Sequence, residues 1–180
     1  ELRLVVPEAE HVVEGPRGEL VPGTDPAWPV FAIPAAAALA YCRWLGRRIG
    51  RAVRLLTELE WEKCARGADG RLYPWGNRFD WSFTKGGRSR EGEPYPEPVG
   101  RFPADRSPYG IRDLAGCVRE LTDGWFAEGH RACRGGSWFN GFEIVFRADF
   151  RTPCREGNRV TDVGFRVAFG GAPGAGGGAP

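Results

Sequence analysis

Apolar residues recur at helical spacing from Ala38 through Tyr41 and Leu45 to Ile49, with arginines on the opposite side. That period predicts an amphipathic helix. Pro34 suits its first position, where a missing N–H costs nothing, and Gly50 suits its end. A second helix is predicted over "TELEWEKCARG". There Thr57 and Glu60 have the spacing of a capping box, with hydroxyl bonded to a backbone N–H and carboxylate bonded back to the cap. Gly67 stops it. "VGFRVAF", Val163 to Phe169, alternates with period two and predicts a last strand. Shorter strands are predicted at "LRLVV" and "PVFAI" (29–33), after the turn in "GIRDLAGCVRELT", and in "RACRGGSW", which ends in a turn.

Two stretches resist a period. Residues 67–112 are rich in Gly, Pro, Trp and charge, and read as ordered irregular loops with Trp75 and Trp81 held against the helices. A loop region this long is usually functional or held by a bound ion. The second, "GGSWFNGFEIVFRADFR", supports two readings. Phe142, Ile144 and Phe146 alternate as they would on the core face of a strand. Phe139 beside the turn and Phe150 between charges fit exposure.

Composition narrows the function classes. A chain of 180 residues can bury one sizeable core. A net charge of +2 gives no basis for capturing nucleic acid. No apolar run approaches the roughly 20 residues of a membrane helix. The 27 glycines and 15 prolines favour turns over long helices. Five cysteines, at 42, 64, 117, 133 and 154, show no C-x-x-C spacing, so zinc is not indicated. Buried free thiols in a reducing compartment are the expectation, with a disulfide of unassigned pairing as the alternative. Starting at Glu1 without a methionine, the chain is expected to lack its native start and any targeting segment with it. A cytoplasmic location is favoured on the thiols, with the cell surface left open. No phosphate loop or catalytic triad is recognisable.

Five stretches, in this order, carry a resemblance: "VRLLTELEWEKCARG", "YPWGN", "SPYGIRDLAGCVRELTDGW", "RGGSW" and "VGFRVAF". Together they resemble the formylglycine-generating-enzyme, or sulfatase-modifying factor, domain family over residues 29–169. The resemblance implies an α+β, C-type-lectin-like fold, with two helices packed on small twisted antiparallel sheets and much irregular loop. Residues 1–28 then form an N-terminal strand and turn-rich segment, and 170–180 a flexible Gly/Pro/Ala tail.

The resemblance also implies chemistry that this chain does not carry. Oxidase members bind copper through two cysteines with four residues between them. Counted back from Arg147 and Arg151, which match the family's paired arginines, those positions hold Glu143 and Ala148. Neither is a soft thiolate for Cu(I). Iron-dependent sulfoxide synthases of the superfamily use a set of histidines; here there are His11 and His130. The calcium patterns are altered too. Lys85 stands where an Asn is expected, and G-N-V-W-E-W reads Gly116, Cys117, Val118, Arg119, Glu120, Leu121. An ammonium cannot coordinate a hard cation. No cofactor is expected, with calcium as the alternative.

A frame without the chemistry is most similar to the variable proteins of diversity-generating retroelements. In these, adenine-directed mutagenesis rewrites a C-terminal ligand-contacting segment. Residues 139–162 are the matching segment. Substituting the first two bases of an AAC codon reaches every residue in it except Glu143 and Glu156. The expected contact set is Phe139, Asn140, Phe142, Ile144, Phe146, Phe150, Arg155, Asn158, Val160, Thr161 and Asp162: aromatics ringed by polar groups. Arg134 and Trp138 are expected to be scaffold, and Arg147 and Arg151 to brace loop carbonyls. The expected function is non-catalytic binding of an unidentified protein or other macromolecule by a monomer. The alternatives are a copper-dependent formylglycine-generating oxidase, with Cys117 and Cys133 converging, and an accessory or regulatory domain of a larger protein.

Overall fold

Pro34 starts the first helix as its cap rather than as its first residue. It is extended (φ −74°, ψ 156°), and α1 runs Ala35–Ile49. Gly50 ends it in the left-handed region at φ 63°, its N–H closing on the Gly46 carbonyl. The computed structural model describes residues 27–91 and 95–170. The strand expected at "LRLVV" and the tail from 171 lie outside the described residues. "PVFAI" shortens to a single bridge between Phe31 and Gly164.

Strand β1 (Val53–Leu55) leads into α2, Glu58–Arg66. Its capping box forms as predicted, Glu60 N–H donating to Thr57 Oγ1 (3.2 Å) and Thr57 N–H to Glu60 Oε2 (2.9 Å). Four strands, β2 (Arg119–Ala127), β3 (His130–Arg134), β4 (Arg151–Arg155) and β5 (Val163–Phe165), form one sheet in the order β4-β3-β2-β5. The sheet is mixed, because β2 and β5 run parallel while the other pairs are antiparallel. The last strand of the sequence is in fact two. β6 (Val167–Phe169) leaves the sheet and pairs antiparallel with β1. The crossing residue is Arg166, whose guanidinium binds the Glu120 carboxylate and the Asp113 carbonyl (2.8 Å).

Three apolar clusters result. The first lies between α1 and the sheets: Ala38, Cys42, Leu45, Leu55, Leu121 and Val163. The second seats Trp61 and Cys64 of α2 on Leu56, Leu114 and Ala148. The third is aromatic and carries the irregular loop, with Tyr73, Trp75, Phe79, Trp81 and Phe146. Trp75 and Trp81 therefore pack within this cluster rather than against the helices. The Tyr73 and Trp75 rings stack at 5.4 Å, and Phe79 meets Trp81 edge-on at 4.9 Å. Ring-to-ring contact gives a loop without a period a core of its own.

A candidate binding face

The segment after β3 is shaped by two adjacent glycines. Gly135 takes φ +74°, a conformation that L side chains rarely adopt. A Cβ on Gly136 would lie 2.4 Å from the Phe146 ring, and one on Gly86 would lie 2.6 Å from it. Phe146 fills that slot with no exposed surface and touches Phe79 and Trp81 at 5.5 Å each. The expectation that Phe146 contacts a ligand is therefore overturned. The strand expected there is a single 3-10 turn, Glu143–Phe146. Without a period of two, Phe142 and Ile144 do not follow Phe146 inward.

Two polar members of the expected contact set also turn inward. The Asp162 carboxylate is buried, accepting from Ser137 Oγ (2.6 Å) and from the Arg119 guanidinium (2.5 and 3.1 Å). Asp162 locks the turn, contrary to its predicted place on the rim. Asn140 is half-buried. Its amide oxygen accepts from the Ser137 N–H and hydroxyl, and its carbonyl accepts from Gly87 N–H (2.8 Å). Phe150 and Val160 are half-buried, Val160 against the first cluster.

What faces water is Phe139 at 67%, Phe142 at 73% and Ile144 at 51% exposure. Phe139 meets the edge of Trp138 (5.7 Å), which stacks on exposed Tyr95 (6.4 Å), so the aromatic strip extends beyond the predicted segment. Arg155, Asn158 and Thr161 are exposed as well. The expected rim loses Asp162, which is buried. Arg151 lies opposite Arg134 at the glycine end of the β3–β4 ladder, and Arg155 lies opposite His130 at its other end. Four strand steps, roughly 13 Å, separate them. Arg155 thus sits at the end of the ladder opposite the glycine turn, with the Asn158 N–H bonded to its carbonyl (3.0 Å).

Beside the strip lies a cleft of about 290 Å³, lined by Leu72, Tyr73, Asn77, Phe79, Glu143, Ile144 and Arg147. Sequence reasoning missed this site. Its one signal was the aromatic density of "LYPWGNRFD" beside a carboxylate at position 143. Burial first, and then the Glu143 charge, hold the Tyr73 hydroxyl above the ordinary phenol range. The paired arginines bind carboxylates rather than the expected carbonyls. Arg147 reaches Asp149 at 2.9 and 2.7 Å, and Arg151 reaches Glu58 of α2 at 2.5 and 2.7 Å. Arg151 has one carbonyl besides, that of Trp125 at 3.3 Å. Arg134 is scaffold, buried between Glu62 and the Ala148 carbonyl, both at 2.7 Å.

The residues present do not fit the metals that the resemblance implies. Ala148 is buried, its N–H bonded to the Leu72 carbonyl, and Glu143 offers a hard oxygen in place of sulfur. All five cysteines are free and buried. Cys117 and Cys133 do not converge. Cys117 Sγ donates to the Glu97 carbonyl (3.3 Å), while Cys133 lies with Cys154 of β4 in the first apolar cluster. Neither Cys133 nor Cys154 lines the cleft. At the calcium positions, Lys85 is buried with its ammonium 3.3 Å from Glu97. Glu120 is occupied by Trp61 Nε1 (2.6 Å) and Arg166.

Comparison with known proteins agrees with this frame. A bovine (Bos taurus) protein named inactive C-alpha-formylglycine-generating enzyme 2 is 35% identical over 161 residues, which cover 83% of this chain and 51% of the relative. The formylglycine-generating enzyme of Mycobacterium tuberculosis is 31% identical, with 77% of this chain and 56% of the relative covered. The chain thus spans about half the length of these relatives. Among solved structures, Treponema denticola variable protein 1 superposes with a TM-score of 0.73 at 22% identity, covering 84% of this chain and 75% of that one, and shares the fold. Residues 13–170 match the sulfatase-modifying factor enzyme 1-like domain, and the chain belongs to that family.

Proposed function

We propose that this chain is a non-catalytic binding domain of the variable-protein type, which contacts a protein or other macromolecule through its C-terminal face. The observation that carries the reading is the division of one loop into an anchored and an unanchored half. Phe146 is locked between glycines, while Phe139, Phe142 and Ile144 stand in water a few residues away. Large apolar side chains left exposed together on an ordered loop mark an interaction surface. Tyr95 and Trp138 extend that surface, and Thr161 borders the turn that Asp162 locks. Oxidase chemistry has no support at the two positions that would carry it, since Glu143 and Ala148 cannot act as thiolates. A relative named inactive and a variable protein with the same fold are in keeping with this reading.

The gene tests the proposal. A near-repeat of the segment coding for 139–162, differing at adenines and lying near a reverse transcriptase, is expected. Its absence overturns the variable-protein reading. The competing activity has a direct assay. Incubation with a cysteine-containing sulfatase peptide, Cu(I) and oxygen is expected to give no aldehyde, and aldehyde above the protein-free blank overturns the non-catalytic reading.

A further inference from the structure

The cleft beside the exposed strip carries one unanswered charge. Of its two ionised groups, Arg147 gives two arms of its guanidinium to Asp149, so its charge is already paired within the chain. Glu143 makes no hydrogen bond or ion pair among the described residues. It shares the lining of the recess with Leu72, Tyr73, Asn77, Phe79 and Ile144. A volume of about 290 Å³ is at the small end of ligand pockets, about 300 Å³ upward, and suits one long side chain better than a cofactor.

We infer that this cleft receives a basic side chain, arginine or lysine, of a polypeptide partner, with Glu143 as its counter-ion and the aromatic and aliphatic walls along its methylenes. The inference rests on the reading of the adjoining face as a binding surface, and it gives that face's partner a charge. A partly enclosed site strengthens a single charge pair relative to open water. Aromatic rings also favour a cation lying over them. An acidic ligand would meet the one unpaired charge of the cleft with its own sign.

The full chain is titrated by NMR with N-acetyl-arginine methylamide, its neutral citrulline counterpart, and N-acetyl-glutamate methylamide. Saturable shifts at Tyr73, Phe79 and Glu143 are expected with the arginine derivative. Binding should be about fivefold or more weaker for the citrulline derivative and for the Glu143→Gln chain, and should weaken as salt is added. Glu143 is exposed, so the amide variant keeps the fold, and Glu143→Asp should retain part of the affinity. Equal affinity for the arginine and citrulline derivatives, preference for the glutamate derivative, or unchanged binding in Glu143→Gln overturns the inference. The two readings also fail separately. A peptide selected on the chain whose binding is lost in Phe139→Ser and Phe142→Ser but kept in Glu143→Gln removes the cleft and leaves the face. Binding of the arginine derivative, with no selected peptide dependent on Phe139 or Phe142, supports the cleft and removes the face.

Discussion

Phe146 packs so closely on the bare Cα of Gly136 that a Cβ there would lie 2.4 Å from its ring. Gly86 presses on the same ring, where a Cβ would lie 2.6 Å away. The ring is rigid and fully enclosed, so neither neighbour can yield cheaply. Gly136→Ala is expected to cost about 1–3 kcal/mol through overpacking. Phe146→Ala should cost about 3–5 kcal/mol through the cavity it leaves. Urea unfolding midpoints check both, and a Gly136→Ala chain as stable as the native one would contradict the packing.

The neighbouring phenylalanines should behave in the opposite way. Phe139→Ser and Phe142→Ser remove rings that are 67% and 73% exposed, so stability should change by no more than about 0.5 kcal/mol. Thermal melts check this. A loss comparable to that of Phe146→Ala would mean that these rings are covered.

Much of the frame was legible because local chemistry decided it. Thr57 and Glu60 mark a helix start wherever they occur with that spacing, and Gly50 marks an end by its backbone freedom. The division of the binding segment was not legible, because it depends on contacts far along the chain. Phe142, Ile144 and Phe146 alternate like a strand. Only the approach of Gly86, Phe79 and Trp81 decides that Phe146 goes in and the other two stay out. Asp162 looks like a surface residue until Arg119 and Ser137, 43 and 25 positions away, close on it. The place of Arg155 at the far end of the ladder from the glycine turn follows from strand register, which period alone does not fix. The cleft is harder still, since its two walls come from segments about 70 residues apart.

The capping box of α2 is tied to the rest of the fold through Arg54, which holds Glu60 at 2.6 and 2.7 Å. Thr57→Ala should destabilise the chain by about 1 kcal/mol, the usual cost of a lost N-cap. The hydrogen bonds from Arg54 first, aided by those from Thr57, bring the Glu60 carboxyl down to about 2. A depressed carboxyl contributes stability above its ordinary value that is lost as pH falls towards the folded one. Arg54→Met should therefore flatten the acid limb between about pH 4.5 and 2, by an amount that solvent screening keeps small. Comparison of acid unfolding curves checks this.

Asp105 should produce the reverse dependence. Its carboxyl is enclosed among Thr84 Oγ1 (2.9 Å) and the N–H groups of Ala115 (3.1 Å) and Leu114 (3.3 Å). Those donors favour the charged form, but burial, followed by the nearby Asp113 charge, outweighs them and pushes the group up from 3.8 to about 7. A carboxyl raised on folding gives stability that is complete below its unfolded value and is lost as pH rises through the folded one. The window therefore runs from about pH 4 to about pH 7, and the shift corresponds to a loss on the order of 4 kcal/mol. Asp105→Asn keeps an oxygen for the two N–H groups and turns an N–H toward the Thr84 hydroxyl, so the variant should fold. Stability measured by urea unfolding from pH 4 to pH 8 should fall in the native chain relative to Asp105→Asn across that window, and run parallel above it. If the two curves stay parallel from pH 4 upward, Asp105 is already ionised at pH 4, and its three donors rather than its burial set its charge.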